Sequence, residues 1–403
     1  MTATLRRNTV LNAPGTAIPG LVAFGAFIAV AHLTSTRTLG LLTLAWITAN
    51  LGSSVVALGP AHAALRALNT EQDDPTLLLA RYRRRLLDRA LLAAAVVAAV
   101  GAALMLAGND VGPGVVLAAP WLLGQSGVLF ESETLRARQQ FGRASALLSI
   151  RAVVGWGGVV VAATFTDNLA ALILPTALTG IVAAVIAARG RLAPLTDEVR
   201  RQCKVIGGPI GRLAAASYAL GYADRYVVAA FLGPAAVGVY TLGYQLGEGG
   251  VELVTQPVTS AALPRVVAEW NSPEADGHAR ARHTTRRVAV GVIAFTAISP
   301  LFVFAADRLG WLAHIDPSPD LPVITAIVCV AVGIQGLTRL GYGLLLAQGR
   351  TDRALRVFLE VVALSVVVVP LLTWWSGLTG AAWATLIAYA ILAGLTMWSA
   401  FRG

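Results

Sequence analysis

The chain has 403 residues, of which 56% are apolar and 13% are charged, and its mean hydropathy is +0.70. Soluble domains carry about 25% charged residues, so this composition excludes a soluble globular protein. The net charge of +10 comes from basic residues in the loops between apolar runs, so it gives no reason to expect a nucleic-acid partner.

Twelve apolar runs are long enough to cross a bilayer, whose core of about 30 Å takes about 20 helical residues. They are continuous and rich in Ala, Leu and Val, and they lack the alternation of a β-barrel strand. The sequence therefore predicts an all-α polytopic membrane protein with about 12 transmembrane helices. In chain order the runs are Ala13 to Leu33, Leu39 to Leu58, Ala90 to Ala107, Val115 to Glu133, Ala144 to Thr164, Leu169 to Ala187, Ile210 to Leu232, Val237 to Ala261, Val288 to Ala305, Leu321 to Ala347, Leu355 to Leu372 and Thr379 to Ser399.

The basic residues lie mainly on one side of these spans. Twelve spans return the chain to the side where it began, and the loops of the opposite side contain only Arg37 and Arg308 as basic residues. The positive-inside rule then predicts that both termini are cytoplasmic. Because Lys204 is the single lysine among 31 basic residues, we expect a GC-rich bacterial source and hence the bacterial cytoplasmic membrane.

The two halves of the chain resemble each other at an offset of 198 residues. At this offset Gly40 falls on Gly238, Thr43 on Thr241, and the Ala-Ala-Leu at 63–65 on that at 261–263. Six spans per half give both halves the same orientation, so the pattern predicts a parallel pseudo-repeat with a substrate cavity between two lobes. We expect a six-helix lobe over residues 1–188, a cytoplasmic linker over 189–204 and a second six-helix lobe over 205–403.

Charged and polar residues recur at helical spacing in three spans of the second half. Thr241, Gln245, Glu248, Glu252 and Gln256 are separated by four, three, four and four residues, which puts them on one face of the eighth span. Two shorter stripes follow the same spacing, Tyr218, Tyr222 and Arg225 in the seventh span and Gln335, Arg339 and Tyr342 in the tenth. Such a face must avoid lipid, and it can either line a hydrated cavity or join helices by hydrogen bonds.

Several motifs resemble those of the Wzx-type polysaccharide flippases of the multidrug/oligosaccharidyl-lipid/polysaccharide (MOP) superfamily. They are Asp224 late in the seventh span, Val-Gly-Val-Tyr at 237–240, Pro257, the basic loop RARQQFGRASAL at 136–147, and LAQGRTDRAL with GLTGAAWATLIAY at 346–355 and 377–389. The resemblance implies a two-lobed transporter that moves an undecaprenyl-pyrophosphate-linked oligosaccharide to the outer leaflet by alternating access. It also implies polysaccharide polymerases and glycosyltransferases as partners in the same biosynthesis.

Beside that resemblance, the charged residues can be given roles. A guanidinium offers paired donors to phosphate and stays charged at any pH, so Arg225 and Arg339 are candidates for the pyrophosphate, with Arg212 and Arg151 at the cytoplasmic mouth. Glu248 and Glu252 would repel a pyrophosphate when ionised, so we expect them to couple transport to ions or to bind sugar hydroxyls. We predict that Asp224 is structural, because residues adjacent in a helix point about 100° apart and Arg225 would then face the cavity alone. The expected cavity lining is completed by Tyr222, Tyr244, Gln245, Gln335 and Asn50.

No catalytic motif is recognisable. The sequence lacks a Walker A motif, and its five histidines lack metal-ligand spacing, so we expect no enzyme, cofactor or metal. A cation-coupled multidrug antiporter of the same superfamily (MATE-like) is the main alternative, although arginines in the cavity favour an anion. A membrane glycan-processing enzyme is a weaker alternative, because the longest predicted extracytoplasmic loop, 306–320, is short.

Overall fold

The computed structural model describes residues 3–70, 74–188, 192–272, 274, 276–316 and 318–402, and the side chains of 3–16, 69–70, 210 and 260 fall outside that description. Every regular element in the described residues is a helix, which confirms the predicted all-α class. In chain order these are α1 (Ala3–Leu33), α2 (Thr36–Thr70), α3 (Pro75–Leu106), α4 (Gly112–Ala137), α5 (Phe141–Ala163), α6 (Leu169–Ala188), α7 (Asp197–Val205), α8 (Gly207–Leu232), α9 (Pro234–Trp270), α10 (Gly277–Arg308), α11 (Trp311–Ile315), α12 (Asp320–Ala347) and α13 (Thr351–Phe401).

Each of the twelve predicted spans falls within one of these helices, to within one residue at its ends. The last two spans are the two parts of α13, which is broken at Ser376 and Gly377. Gly377 has a φ of +61°, a conformation that glycine adopts without steric cost. Among the described residues, eight helices are long and apolar enough to cross a membrane, so the protein is a multi-pass membrane protein.

The chain divides into two compact units. Unit 1 comprises Met1–Tyr218 with Gly233–Gly238, and unit 2 comprises Ala219–Leu232 with Val239–Gly403. The lobe boundaries at 188 and 204 stay a prediction. Of the predicted linker, 189–191 lie outside the described residues, and most of the remainder forms the short amphipathic helix α7.

The core of unit 1 forms around α4, which packs against α2, α3 and α6. The approach of α4 to α6 is close, because a Cβ on Gly124 would lie 2.7 Å from the Ile181 nitrogen. A buried cluster centred on Phe27, Trp121 and Trp156 fills the space between α1, α4 and α5. The ring centroid of Trp156 lies 5.0 Å from that of Phe27 and 5.8 Å from that of Trp121. Glycine thus allows α4 and α6 to approach closely, whereas aromatic rings fill the wider space between α1, α4 and α5.

The core of unit 2 forms around α12, which packs against α10 and α13. Gly333 allows α10 to approach, since a Cβ there would lie 1.9 Å from Oγ1 of Thr296. Gly247 of α9 has the same role toward α12, where its Cβ would lie 2.9 Å from the Thr325 carbonyl oxygen. These contacts fix the register of α9 on α12, and with it the positions of the charged residues of both helices.

One backbone contact in unit 1 is reciprocal. A Cβ on Gly40 would lie 1.8 Å from the carbonyl oxygen of Pro234, and a Cβ on Gly238 would lie 2.2 Å from that of Thr36. The offset of 198 residues that relates Gly40 to Gly238 also relates Thr36 to Pro234. The paired contacts therefore involve corresponding positions of the two similar segments.

Candidate substrate and coupling site

Asp224 and Arg225 form a closed ion pair inside unit 2. Nη1 of Arg225 donates to Oδ1 of Asp224 at 2.8 Å and to the carbonyl oxygen of Gly221 at 2.7 Å. The two side chains are 3% and 0% exposed. The expectation that the two adjacent residues would serve different surroundings is therefore wrong, because the arginine side chain is long enough to fold back onto its neighbour and its own helix.

Tyrosine rings surround the Arg225 guanidinium. Its Cζ lies 4.0 Å from the ring centroid of Tyr244, 5.1 Å from that of Tyr222 and 5.7 Å from that of Tyr240. Nε and Nη2 have no hydrogen-bond partner among the described residues, so the faces of the rings are their principal contacts. Cation–π attraction of this kind is strengthened when the cation is removed from water.

The carboxylate of Asp224 holds three helices together. Its Oδ2 accepts from the Tyr240 hydroxyl of α9 at 2.7 Å and from the Thr385 hydroxyl of α13 at 3.0 Å. One layer further along α9, the hydroxyls of Tyr244 and Tyr389 lie 2.9 Å apart. Asp224 thus connects α8 to α9 and α13, as a structural residue would, and its structural role stays a prediction.

Arg339 and Glu252 form a second ion pair, between α12 and α9. Nη2 of Arg339 donates to Oε1 of Glu252, while Nη1 is buried without a hydrogen-bond partner among the described residues. The side chains are 36% and 27% exposed, so this pair is open where the Asp224–Arg225 pair is closed. Glu248, one turn earlier on α9, is half-buried and makes no hydrogen bond or ion pair with the described residues.

Exposure along the polar stripe of α9 increases steadily toward its C-terminal end. Thr241 and Gln245 are buried, Glu248 and Glu252 are half-buried, and Gln256 is exposed. On α12, Gln335 is half-buried one turn before Arg339. The Glu248–Glu252 part of the stripe is therefore partly accessible, whereas the part at Thr241 and Gln245 is buried.

The remaining predicted residues lie in unit 1. Arg212 is exposed on α8 and makes no hydrogen bond or ion pair with the described residues. Asn50 of α2 accepts from Nε2 of Gln125 of α4 at 3.2 Å and donates to the Trp46 carbonyl at 3.0 Å. The structure thus brings Tyr222, Arg225 and Tyr244 together in one cluster and Glu248, Glu252 and Arg339 in another.

Sequence reasoning gave no role to Tyr240, Thr385, Tyr389 or Gln125. Thr385 and Tyr389 lie four residues apart, which puts them on one face of α13, and both fall in the stretch that carries the family resemblance. That spacing was the signal from which the sequence could have identified Thr385 and Tyr389. Their partners were not predictable, because hydroxyls occur widely in membrane helices, where they bond to their own backbone.

A family model described as "Polysaccharide biosynthesis protein" matches residues 5–268, about two thirds of the chain. This chain belongs to that family. No curated protein matches it at a significant level. The part of the chain that the structure describes contains no cluster of three or more His, Cys, Asp or Glu residues suited to a metal ion.

Several solved structures that resemble this fold are transporters of the MOP superfamily. An inward-facing multidrug resistance MATE family transporter of that superfamily aligns with a TM-score of 0.67 and 13% identity over 96% of this chain and 97% of its own. A MOP superfamily transporter from Pyrococcus furiosus, whose binding pocket is described as having reverse polarity, aligns at 0.61 and 15% identity over 98% and 94%. A Vibrio cholerae MATE transporter variant aligns at 0.58 and 16% identity over 99% and 96%. This chain of the polysaccharide biosynthesis family therefore shares its fold with MOP superfamily transporters.

Proposed function

We propose that the protein is a flippase that moves an undecaprenyl-pyrophosphate-linked oligosaccharide across the bacterial cytoplasmic membrane by alternating access. The observation that carries this proposal is the open Arg339–Glu252 pair in a chain of the polysaccharide biosynthesis family. The Arg339 side chain is 36% exposed and pairs with Glu252 through Nη2, so the guanidinium can donate to a second anionic ligand that displaces or joins the carboxylate. The proposed ligand is the pyrophosphate that links lipid to sugar.

Exchange of partners at Arg339 gives this site a mechanism. A pyrophosphate that approaches Arg339 competes with the carboxylate of Glu252 for the same planar donors. Protonation of Glu252 weakens the internal ion pair and favours the substrate, and loss of that proton restores the pair and favours release. Glu248, one turn away, adds negative charge that an ionised substrate would meet, so both glutamates are proposed coupling residues.

The other predicted residues have proposed roles that follow from their positions. Arg225 is closed off by Asp224 and three tyrosines, so a direct contact with substrate requires that the pair opens. Gln245 and Gln335 are proposed to donate to sugar hydroxyls beside the glutamates, and Arg212, with its exposed guanidinium, to attract the pyrophosphate. Asn50 stays a proposed lining residue, and its amide already bonds to Gln125.

Flipping can be measured with the purified protein in liposomes that contain a polyprenyl-pyrophosphate oligosaccharide. A membrane-impermeant glycosidase added outside should cut nearly all of the glycan when the flippase is active, and only the outer-leaflet share without it.

In cells, loss of the protein should stop a surface polysaccharide and leave its lipid-linked precursor on the inner leaflet. An intact glycan coat in such cells would contradict the proposal.

The alternative is a cation-coupled multidrug antiporter, which the similarity to MATE transporters favours at the level of fold. Such a protein should move a cationic dye into the same liposomes under a proton or sodium gradient. It should leave the glycan lipid where it was. The same vesicles therefore distinguish the two functions without a change of protein preparation.

The proposed orientation has both termini in the cytoplasm. Alkaline phosphatase fused near Asp110 or Asp316 should be active, because the enzyme folds outside the cytoplasm, and a fusion near Arg84 should be inactive. The reverse pattern would contradict the assignment of sides.

A further inference from the structure

A groove in unit 1 carries positive charge, and Arg151, which the sequence suggested for the cytoplasmic mouth, lies in its lining. It encloses about 850 Å³ among α3, α4, α5 and α6, at the end where α4 ends and α5 begins. Its lining includes four arginines, Arg83, Arg138, Arg143 and Arg151, and one acid, Glu131.

The Glu131 carboxylate already forms an ion pair with Arg83. Nε of Arg83 donates to Oε1 of Glu131 at 2.6 Å, and Nη2 donates to Oε2 at 2.9 Å. Both side chains are largely buried, at 12% and 5% exposed. This bidentate pair forms a neutral wall of the groove and leaves the other three guanidiniums without a carboxylate in its lining.

Arg151 is the most informative of the three. It is the eleventh residue of α5, about 15 Å along a helix of 1.5 Å rise per residue, and its side chain is half-buried. It makes no hydrogen bond or ion pair with any described residue of the protein. A guanidinium at that depth in an apolar helix requires an anionic or polar partner, and its long apolar stem lets the charged group reach toward the end of α5.

The rim of the groove presents further donors. Arg138 and Arg143 are exposed on either side of the turn between α4 and α5, and Nη1 of Arg143 donates to Oε1 of Gln140 at 3.1 Å, its one hydrogen bond among the described residues. Gln140 is the N-cap of α5 and makes no side-chain capping bond, so the first backbone N–H groups of α5 add to the positive potential here.

The opposite wall of the groove is apolar and open. Ile150 and Val154 of α5 and Val182 and Ile186 of α6 line it, and each is 53% to 70% exposed. A free anion would leave this wall unused. A lipid can place its phosphate among the arginines and its chains along α5 and α6, which is how basic pockets between membrane helices bind acidic lipids.

We propose that the groove lined by Arg138, Arg143 and Arg151 binds an acidic glycerophospholipid through its phosphate. The lipid would complete the charge balance of α5 and fill the space between α4, α5 and α6. The inference concerns only unit 1 and does not depend on the identity of the transported substrate.

The test is binding to the purified full-length protein, measured by native mass spectrometry with phosphatidylglycerol, phosphatidylcholine, inorganic phosphate and pyrophosphate as probes. Phosphatidylglycerol should bind in preference to phosphatidylcholine. Arg151→Gln, and separately the pair Arg138→Gln and Arg143→Gln, should each weaken phosphatidylglycerol binding by about tenfold, since each removes charge-assisted hydrogen bonds. The pair Arg286→Gln and Arg287→Gln on the exposed face of α10 is the matched control and should bind as the unaltered protein does.

Arg151→Lys keeps the charge and serves if Arg151→Gln does not fold, and it should retain part of the affinity. The rim pair lies on the exposed turn and carries the test independently of Arg151. Equal binding of phosphatidylglycerol and phosphatidylcholine, or unchanged binding in both sets of groove variants, would overturn the proposal. Tight binding of phosphate or pyrophosphate that displaces phosphatidylglycerol would overturn the lipid assignment and identify a free-anion site.

Discussion

Two arginine–carboxylate pairs in unit 2 have the same chemistry and opposite surroundings. Arg225 is enclosed by three tyrosine rings, Asp224 accepts from the hydroxyls of Tyr240 and Thr385, and neither side chain of the pair is more than 3% exposed. Arg339 meets Glu252 in an accessible place, with one guanidinium nitrogen still unpaired among the described residues. The difference shows that a charged residue in a membrane helix is not by itself a substrate site, because neighbouring side chains can pair with it and bury it.

Breaking the closed pair should have the largest effect on stability. Arg225→Ala leaves the Asp224 carboxylate buried beside tyrosines without its cation, which typically costs about 3–5 kcal/mol. We expect little folded protein in the membrane, measured as the monodisperse fraction after detergent extraction. Asp224→Asn should also lower that fraction, by less, because the amide keeps a hydrogen-bonding oxygen.

A double substitution sharpens this prediction. Asp224→Ala combined with Arg225→Leu removes both charges at once, so it should cost less than the sum of the two single substitutions. Strictly additive losses would show that the two residues do not stabilise unit 2 through their contact.

Breaking the open pair should affect transport and spare abundance. Arg339→Ala should abolish glycan flipping per inserted molecule, and Arg339→Lys should reduce it, because lysine keeps the charge and loses the paired donors. The liposome assay measures the rate for each variant. Arg37→Ala, which breaks an exposed ion pair with Asp110, is the matched control and should flip normally.

Removing the acid of the open pair should change pH dependence more than the maximal rate. Glu252→Gln cannot cycle between charged and neutral forms, so flipping should lose its response to pH across the range where the native protein responds. Glu248→Gln should have a smaller effect, since Glu248 makes no ion pair with the described residues. The measurement is the flipping rate at a series of pH values, and a pH response retained in both variants would contradict the coupling role.

The smallest effect should come from the hydroxyl that supports the closed pair. Thr385→Val keeps the shape of the side chain and removes one donor to Asp224, which has a second donor in Tyr240. We expect a loss of about 1 kcal/mol in the free energy of unfolding, with flipping per folded molecule unchanged. A loss of flipping at normal stability would place Thr385 in the transport site instead.

The helices were predictable from sequence because continuous apolar runs and charged loops are dictated by the bilayer. Even the break in α13 was visible, since the predicted eleventh span ends at Leu372 and the twelfth begins at Thr379, on either side of Gly377. The likeness to the fold of MOP transporters was also predicted, from the resemblance of the motifs around Asp224 and at 377–389.

The two arginines could not be ranked from sequence. Arg225 and Arg339 each belong to a polar stripe with spacings of four and three residues, and helical periodicity reports only where the Cβ atoms point. The direction of a long guanidinium side chain is decided by what it can reach, here the Asp224 carboxylate, the Gly221 carbonyl and the face of Tyr244. The Arg83–Glu131 ion pair could not be predicted from the sequence for the same reason, since it joins α3 to α4 across 48 residues.

The most direct test of the contrast is glycan flipping per molecule of membrane-inserted protein for Arg225→Ala and Arg339→Ala, measured side by side with the inserted amount of each. We expect Arg339→Ala to insert at the level of the unaltered protein and to flip nothing, whereas Arg225→Ala should be scarce. Normal flipping at normal abundance by Arg339→Ala would contradict the account, because the open pair would then be no more than a contact between α9 and α12.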